Sequence, residues 1–158
     1  MEAVRAMDAG AGLHWAFRES FREYVTAIDD GRIDRRQVDL DAMGRFVFRR
    51  SGRSSRSLWV FEGRVDFWAH FGVLNFSLYD VCIEFGPRPC ISVGPQTREK
   101  ERVVLAELEE VAAQVPGTHE FTAMLTADGA RVLGGVYSVG DPLERLTVSP
   151  VGCSLSRD

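Results

Sequence analysis

Three side chains stand out as able to do chemistry. Tyr24 lies in "SFREYVTAI", residues 20–28, on an apolar stripe where a leucine would serve; His70 lies in "WAHFGVL", where two β-like runs meet; Tyr137 follows a glycine pair in "GGVYSVGDP". A phenol offers an O–H and, stripped of its proton, an anionic oxygen, whereas an imidazole takes up and releases a proton near neutral pH. Taken singly, each has a plainer explanation: a core tyrosine with its hydroxyl tied off, a hydrogen-bonded histidine at a strand end, a tyrosine packed under a loop. Other chemistries lack their motifs. The chain has no GxxxxGK[ST] and no GxGxxG after a strand, and "GCS" near Gly152 lacks the flanking strand and helix of a nucleophile elbow. His14, His70 and His119 stand at no zinc-ligand spacing.

The elements that must position these residues read mostly as strands. Leu13, Phe17, Phe21, Tyr24 and Ile28 recur every three or four residues and predict one amphipathic helix from Leu13 to the "DDG" of Asp29 to Gly31, with Arg18, Glu19, Arg22 and Glu23 on its other side. Beyond it the period changes to two. Residues 44–50, 57–63, 64–71, 73–85 and 90–94 predict strands punctuated by Gly63, Gly72, Gly86 and Gly94, with His70, Asp66 and Trp68 sharing one face. Residues 97–111 fit helix or strand and are assigned to strand; residues 119–126 predict another. Thr126 reads as the N-cap of a short helix that runs through Leu133 and stops at Gly134 and Gly135, and residues 145–149 predict a last strand. Short runs joined by turns indicate an antiparallel sheet or barrel.

At 158 residues the chain fits one domain, 1–158, with a core over about 11–150 and frayed ends. A net charge of −4 with scattered basic residues gives nucleic-acid binding little footing, and the Arg- and Ser-rich residues 49–56 read as a solvated hairpin loop. Cys82, Cys90 and Cys153 form no CxxC pair and read as reduced thiols. No apolar run is long enough for a secretory signal or a membrane span, so the sequence as given reads as cytoplasmic.

Three separated blocks resemble the HtaA domain, a haem-binding module of bacterial haem-uptake proteins. "LHWAFRESFREYV", residues 13–25, is similar to the family's opening L-x-W-G-x-K-x-S-F-R-x-Y; "FEGRVDFWAHFGVLNFSLYDVCI", residues 61–83, to its F-x-G-x-V-x-F-x-G-H-D-G-x-L block; "LTADGARVLGGVYSVGDPLERLTVS", residues 125–149, to its closing L-T-x-x-G…G-x-Y pattern. Order and approximate spacing agree along nearly the whole chain.

The resemblance implies a mainly β, α+β fold: an antiparallel β-sandwich-like or barrel-like domain with an N-terminal helix and a short C-terminal helix covering a haem cleft. It implies haem b as cofactor, Tyr24 as axial ligand to the iron, His70 as its hydrogen-bonding support, Tyr137 in the haem site and Ser20 near a propionate. Phe21 and Phe17, one and two turns before Tyr24, would form an apolar wall. Ferric iron would stabilise the phenolate of a group whose ordinary pKa is about 10. Three positions depart from the pattern: Ala16 and Ala69 stand where the family has glycine, and Phe71 where it has aspartate. With Trp68, Phe71 gives an aromatic tip that would enclose the cleft mouth, unless it simply packs on the fold.

Two functions follow from these implications. The first is a small intracellular haem enzyme, with Tyr24 and His70 as its catalytic pair and an open iron face for redox chemistry such as reductive N–N bond formation between an amine and a nitrite-derived species. The second is a haem carrier or store without turnover. The partners expected are haem and a small substrate, with no nucleic acid or membrane, and the oligomeric state, a homodimer included, stays open.

Overall fold

The computed structural model describes residues 12–97 and 99–149. Ten strands and two short helices make it up: β1 (Gly12–Trp15), α1 (Glu19–Ala27), β2 (Arg32–Arg36), β3 (Asp39–Leu40), β4 (Phe46–Arg50), β5 (Leu58–Ala69), β6 (Leu74–Glu84), β7 (Cys90–Val93), β8 (Val103–Val111), β9 (His119–Leu125), α2 (Ala127–Val132) and β10 (Pro142–Ser149). Every pairing is antiparallel, and the order β5-β6-β7-β8-β9-β10-β1-β4 closes on itself where Arg49 and Arg50 of β4 meet Glu62 and Phe61 of β5. The mostly β domain expected is therefore a closed eight-stranded barrel, which leaves no sheet edge in that ring. β2 and β3 are added alongside β5 and β4.

The sequence breaks the long run 57–71 at Gly63, yet it forms a single strand. Gly63 takes φ 109 at a register shift between Phe61 and Arg64, and a Cβ there would fall 2.5 Å from the Val38 side chain and 2.8 Å from the Gln37 carbonyl. The glycine thus lets β5 bulge under the Gln37–Val38 turn and exchange β4 for β2 as its neighbour.

The N-terminal segment corrects the helix expected from Leu13. Leu13 and Trp15 are fully buried and lie in β1, between β10 and β4; the chain then turns at Phe17, φ 69, and the helix starts only at Glu19. Leu13, Trp15 and Phe17 also satisfy period two, and the two long-range ladders available to β1 outweigh a local helical preference. The Trp15 indole N–H donates to the Glu144 carbonyl (2.8 Å), and the Glu144 N–H to that of Phe17 (2.8 Å), tying the turn to β10.

β2, with sequence RIDRR, has no apolar alternation to reveal it because its side chains are largely exposed. The short helix was legible: the Thr126 hydroxyl accepts from the Gly129 N–H (2.9 Å), and a Cβ at Gly129 would meet the Leu105 carbonyl at 2.2 Å, so α2 lies tightly on β8. Cys82 and Cys90 are free thiols. The ends expected to fray, Cys153 and the Gly152 motif lie outside the described residues. Among those described, no helix is long and apolar enough to cross a membrane.

Candidate functional site

α1 packs against β2 and β5 and buries Phe21 and Val25 completely. Phe21 meets Phe17 (ring centroids 5.6 Å) and Phe67 (5.2 Å), and Phe17 stacks on Phe76 (5.6 Å), forming one aromatic cluster beneath the helix. Because positions 21 and 25 take the inner face, Tyr24, about 60° from Phe21 and about 100° from Val25 around the helix, is turned off it and is 39 % exposed, not a core residue as the spacing suggested.

Its partner comes from the β5–β6 tip. Tyr24 Oη and His70 Nε2 are joined by a hydrogen bond of 3.1 Å across 46 residues of chain. His70 and Phe71 both adopt left-handed backbone, φ 53 and 55, followed by Gly72 at 91. Asp30, on the turn leaving α1, holds them there: one carboxylate oxygen accepts from the His70 N–H (3.0 Å) and the other from the Phe71 N–H (2.6 Å). The Phe71 N–H is the foremost cause holding the Asp30 carboxyl below its ordinary pKa.

One helical turn before Tyr24, the Ser20 hydroxyl pairs with the Tyr137 hydroxyl at 2.5 Å. The Tyr137 ring lies 6.2 Å from Phe21 and is approached by the Arg18 guanidinium at 5.6 Å. Glu144 of β10 accepts from the Glu19 N–H (3.1 Å), placing a carboxylate at the helix start, where the dipole favours it, and lies 3.7 Å from Arg18 Nη1. Arg18 Nε is buried and has no acceptor among the described residues. Arg22, with its guanidinium 4.2 Å over Phe46, is the residue on the other side of α1 whose burial lowers its pKa.

The structure thus joins Tyr24 to His70 and Ser20 to Tyr137, on one helix. Phe17 and Phe21 lie in the core, with Phe21 alone reaching Tyr137. Trp68 faces outward from β5, under the Arg32 guanidinium at 4.3 Å. Phe71 projects into solvent, 89 % exposed, as do Val73, Val136 and Val139. Sequence reasoning missed Asp30 and Arg18: an aspartate just past a helix and an arginine just before one are ordinary until their partners are seen. No group of three or more His, Cys, Asp or Glu side chains among the described residues could hold a bare metal ion.

An eight-stranded antiparallel barrel, with a tyrosine on a packed helix joined to a histidine at the β5–β6 tip, defines the class. The HtaA family model matches residues 10–149, and the chain belongs to that family. Among solved structures, the N-terminal domain of HtaA from Corynebacterium glutamicum is 23 % identical with a TM-score of 0.69, over 89 % of this chain and 97 % of that one. The C-terminal domain of the same protein is 18 % identical, with a TM-score of 0.65 and coverages of 87 % and 95 %. Heme binding protein HtaB from C. glutamicum is 20 % identical, again at 0.65, over 86 % and 89 %. No curated protein matches the chain.

Proposed function

We propose that this protein binds haem b, with Tyr24 as the protein ligand to iron and His70 as the hydrogen-bonding support of the phenolate oxygen. The observation that carries the proposal is the 3.1 Å Tyr24–His70 hydrogen bond, made by a tyrosine set at the surface instead of in the core. The family membership and the name of the HtaB relative support it. The three cysteines offer no CxxCH for covalent attachment, which favours the b type.

The residues present fit the group. A haem has a flat apolar body and two carboxylates. The buried Arg18 Nε–H without an acceptor, on a guanidinium lying over the Tyr137 ring, suits a propionate. Phe71, Val73, Val136 and Val139 supply exposed apolar surface for the porphyrin.

When bound, ferric haem supplies the positive charge that a phenolate balances. His70 Nε2–H, donating to the Tyr24 oxygen, stabilises the deprotonated form and tunes its donor strength. A hard anionic oxygen also favours Fe(III) over Fe(II).

Between the two uses weighed from sequence, the family and the relative named as a heme binding protein favour holding haem over redox turnover. Haemin titration of wild type beside Tyr24→Phe tests binding, and mixing the holoprotein with excess apomyoglobin tests the use. Release within minutes supports a carrier. Retention over hours, together with turnover of an amine with nitrite, hydroxylamine or peroxide, supports the enzyme.

A further inference from the structure

The β5–β6 tip holds three successive residues in the left-handed region, and two of them, His70 and Phe71, carry side chains that disfavour it. Such a backbone persists only where its surroundings impose it. Val73 N–H closes the turn onto the His70 carbonyl (3.0 Å), but the groups that must converge for the left-handed pair are the two N–H donors of His70 and Phe71. Both end on one carboxylate, that of Asp30, with one oxygen for each. Hydrogen bonds to an ionised acceptor are about twice as strong as neutral ones.

Asp30 is itself fixed to the helix that carries Tyr24. The Gly31 N–H donates to the Ile28 carbonyl (2.8 Å), and a Cβ at Gly31 would fall 1.7 Å from the Val25 carbonyl oxygen, so the chain folds back onto the end of α1 as only glycine permits. A single stretch, 24–31, therefore presents the phenol and grips the backbone of its partner imidazole.

We infer that Asp30 is a positioning residue: by holding the tip left-handed it keeps His70 Nε2 at Tyr24 Oη, and so sets how long the site retains its ligand. The inference rests on the haem-binding reading for its consequence, though not for its geometry. Neutral replacements do not substitute. An asparagine in place of Asp30 would offer one acceptor oxygen and turn an NH₂ donor toward the other N–H, and an alanine would offer none.

The test compares wild type, Asp30→Asn, Asp30→Ala and His70→Ala. In the apoprotein, long-range ¹H–¹⁵N spectra of the His70 ring should move toward those of a free imidazole in both Asp30 variants, while backbone amide spectra of the barrel strands stay in place. In the haem-loaded protein, Asp30→Asn should lose haem to apomyoglobin about tenfold faster, the lower end of what losing the His70–Tyr24 hydrogen bond itself would give. The Asp30→Asn/His70→Ala double variant should then be no faster than His70→Ala alone. An unchanged His70 ring spectrum, or additive acceleration in the double variant, overturns the inference. If wild type binds no haem, the haem reading fails, and the ring spectrum still decides whether Asp30 positions His70.

Discussion

Replacing Phe71 by asparagine should strengthen the apoprotein and weaken its hold on haem. Phe71 is 89 % exposed and sits at φ 55, so in the free protein it adds strain without burying apolar surface. Left-handed backbone costs an L-residue about 1–2 kcal/mol, and asparagine is among the residues that tolerate it best. The backbone N–H that Asp30 accepts is kept. Apo stability should therefore rise by roughly 0.5–1 kcal/mol, a few degrees in Tm. If Phe71 lies on the porphyrin in the complex, the same change removes a contact of up to about 1.5–3 kcal/mol, the value of a fully buried phenylalanine, which corresponds to haem loss up to roughly ten- to a hundredfold faster. The assays are thermal unfolding of the apoprotein and stopped-flow haem transfer to apomyoglobin. Opposite signs in the two are the signature of a residue kept for its ligand. A fall in apo stability would show that Phe71 packs on its own fold, and an unchanged transfer rate would remove it from the site.

Other expectations follow from the same structure. His70→Ala removes the 3.1 Å hydrogen bond to Tyr24 and should speed haem loss about ten- to a hundredfold, the range for one hydrogen bond to a charged oxygen, measured in the same transfer assay. Phe21→Ala, at a fully buried ring packed on Phe17 and Phe67, should cost about 3–5 kcal/mol in urea unfolding. Asp41 offers a pH test. Desolvation raises its pKa, but hydrogen bonds from His14, from the Arg45 N–H and from the Arg45 guanidinium outweigh that and bring it to about 2. A folded pKa below the unfolded value adds stability that is fully present above the ordinary carboxylate range and is lost as pH falls through it toward 2. Asp41→Asn should accordingly cost about 2 kcal/mol near neutral pH and almost nothing near pH 2, with unfolding measured across that range.

The strands were legible where one face is buried. β9 and the second half of β5 alternate, and Thr126 announced α2. β2 escaped because all but Ile33 of RIDRR is charged, and such a strand is specified by its neighbour β5. The helix boundary failed because Leu13, Trp15 and Phe17 fit a strand as well as Leu13, Phe17 and Phe21 fit a helix, and only the pairing of β1 with β10 and β4 decides between them. At the site, Tyr24, His70, Ser20 and Tyr137 were named in advance through the family blocks, and the fold joins them in two pairs. The spacing that placed Tyr24 on the core stripe was misleading: once the helix starts at Glu19, Val25 takes that place. Asp30 was invisible because its meaning lies in two backbone N–H groups forty residues away, whose left-handed geometry no local pattern at His70 and Phe71 announces.

The most direct test is the optical and EPR spectrum of haemin-reconstituted protein, wild type beside Tyr24→Phe. The account predicts a high-spin ferric signal with a phenolate charge-transfer band in the wild type that disappears when the hydroxyl is removed. Identical spectra from the two proteins would contradict it, because the oxygen of Tyr24 would then have no part in holding the iron.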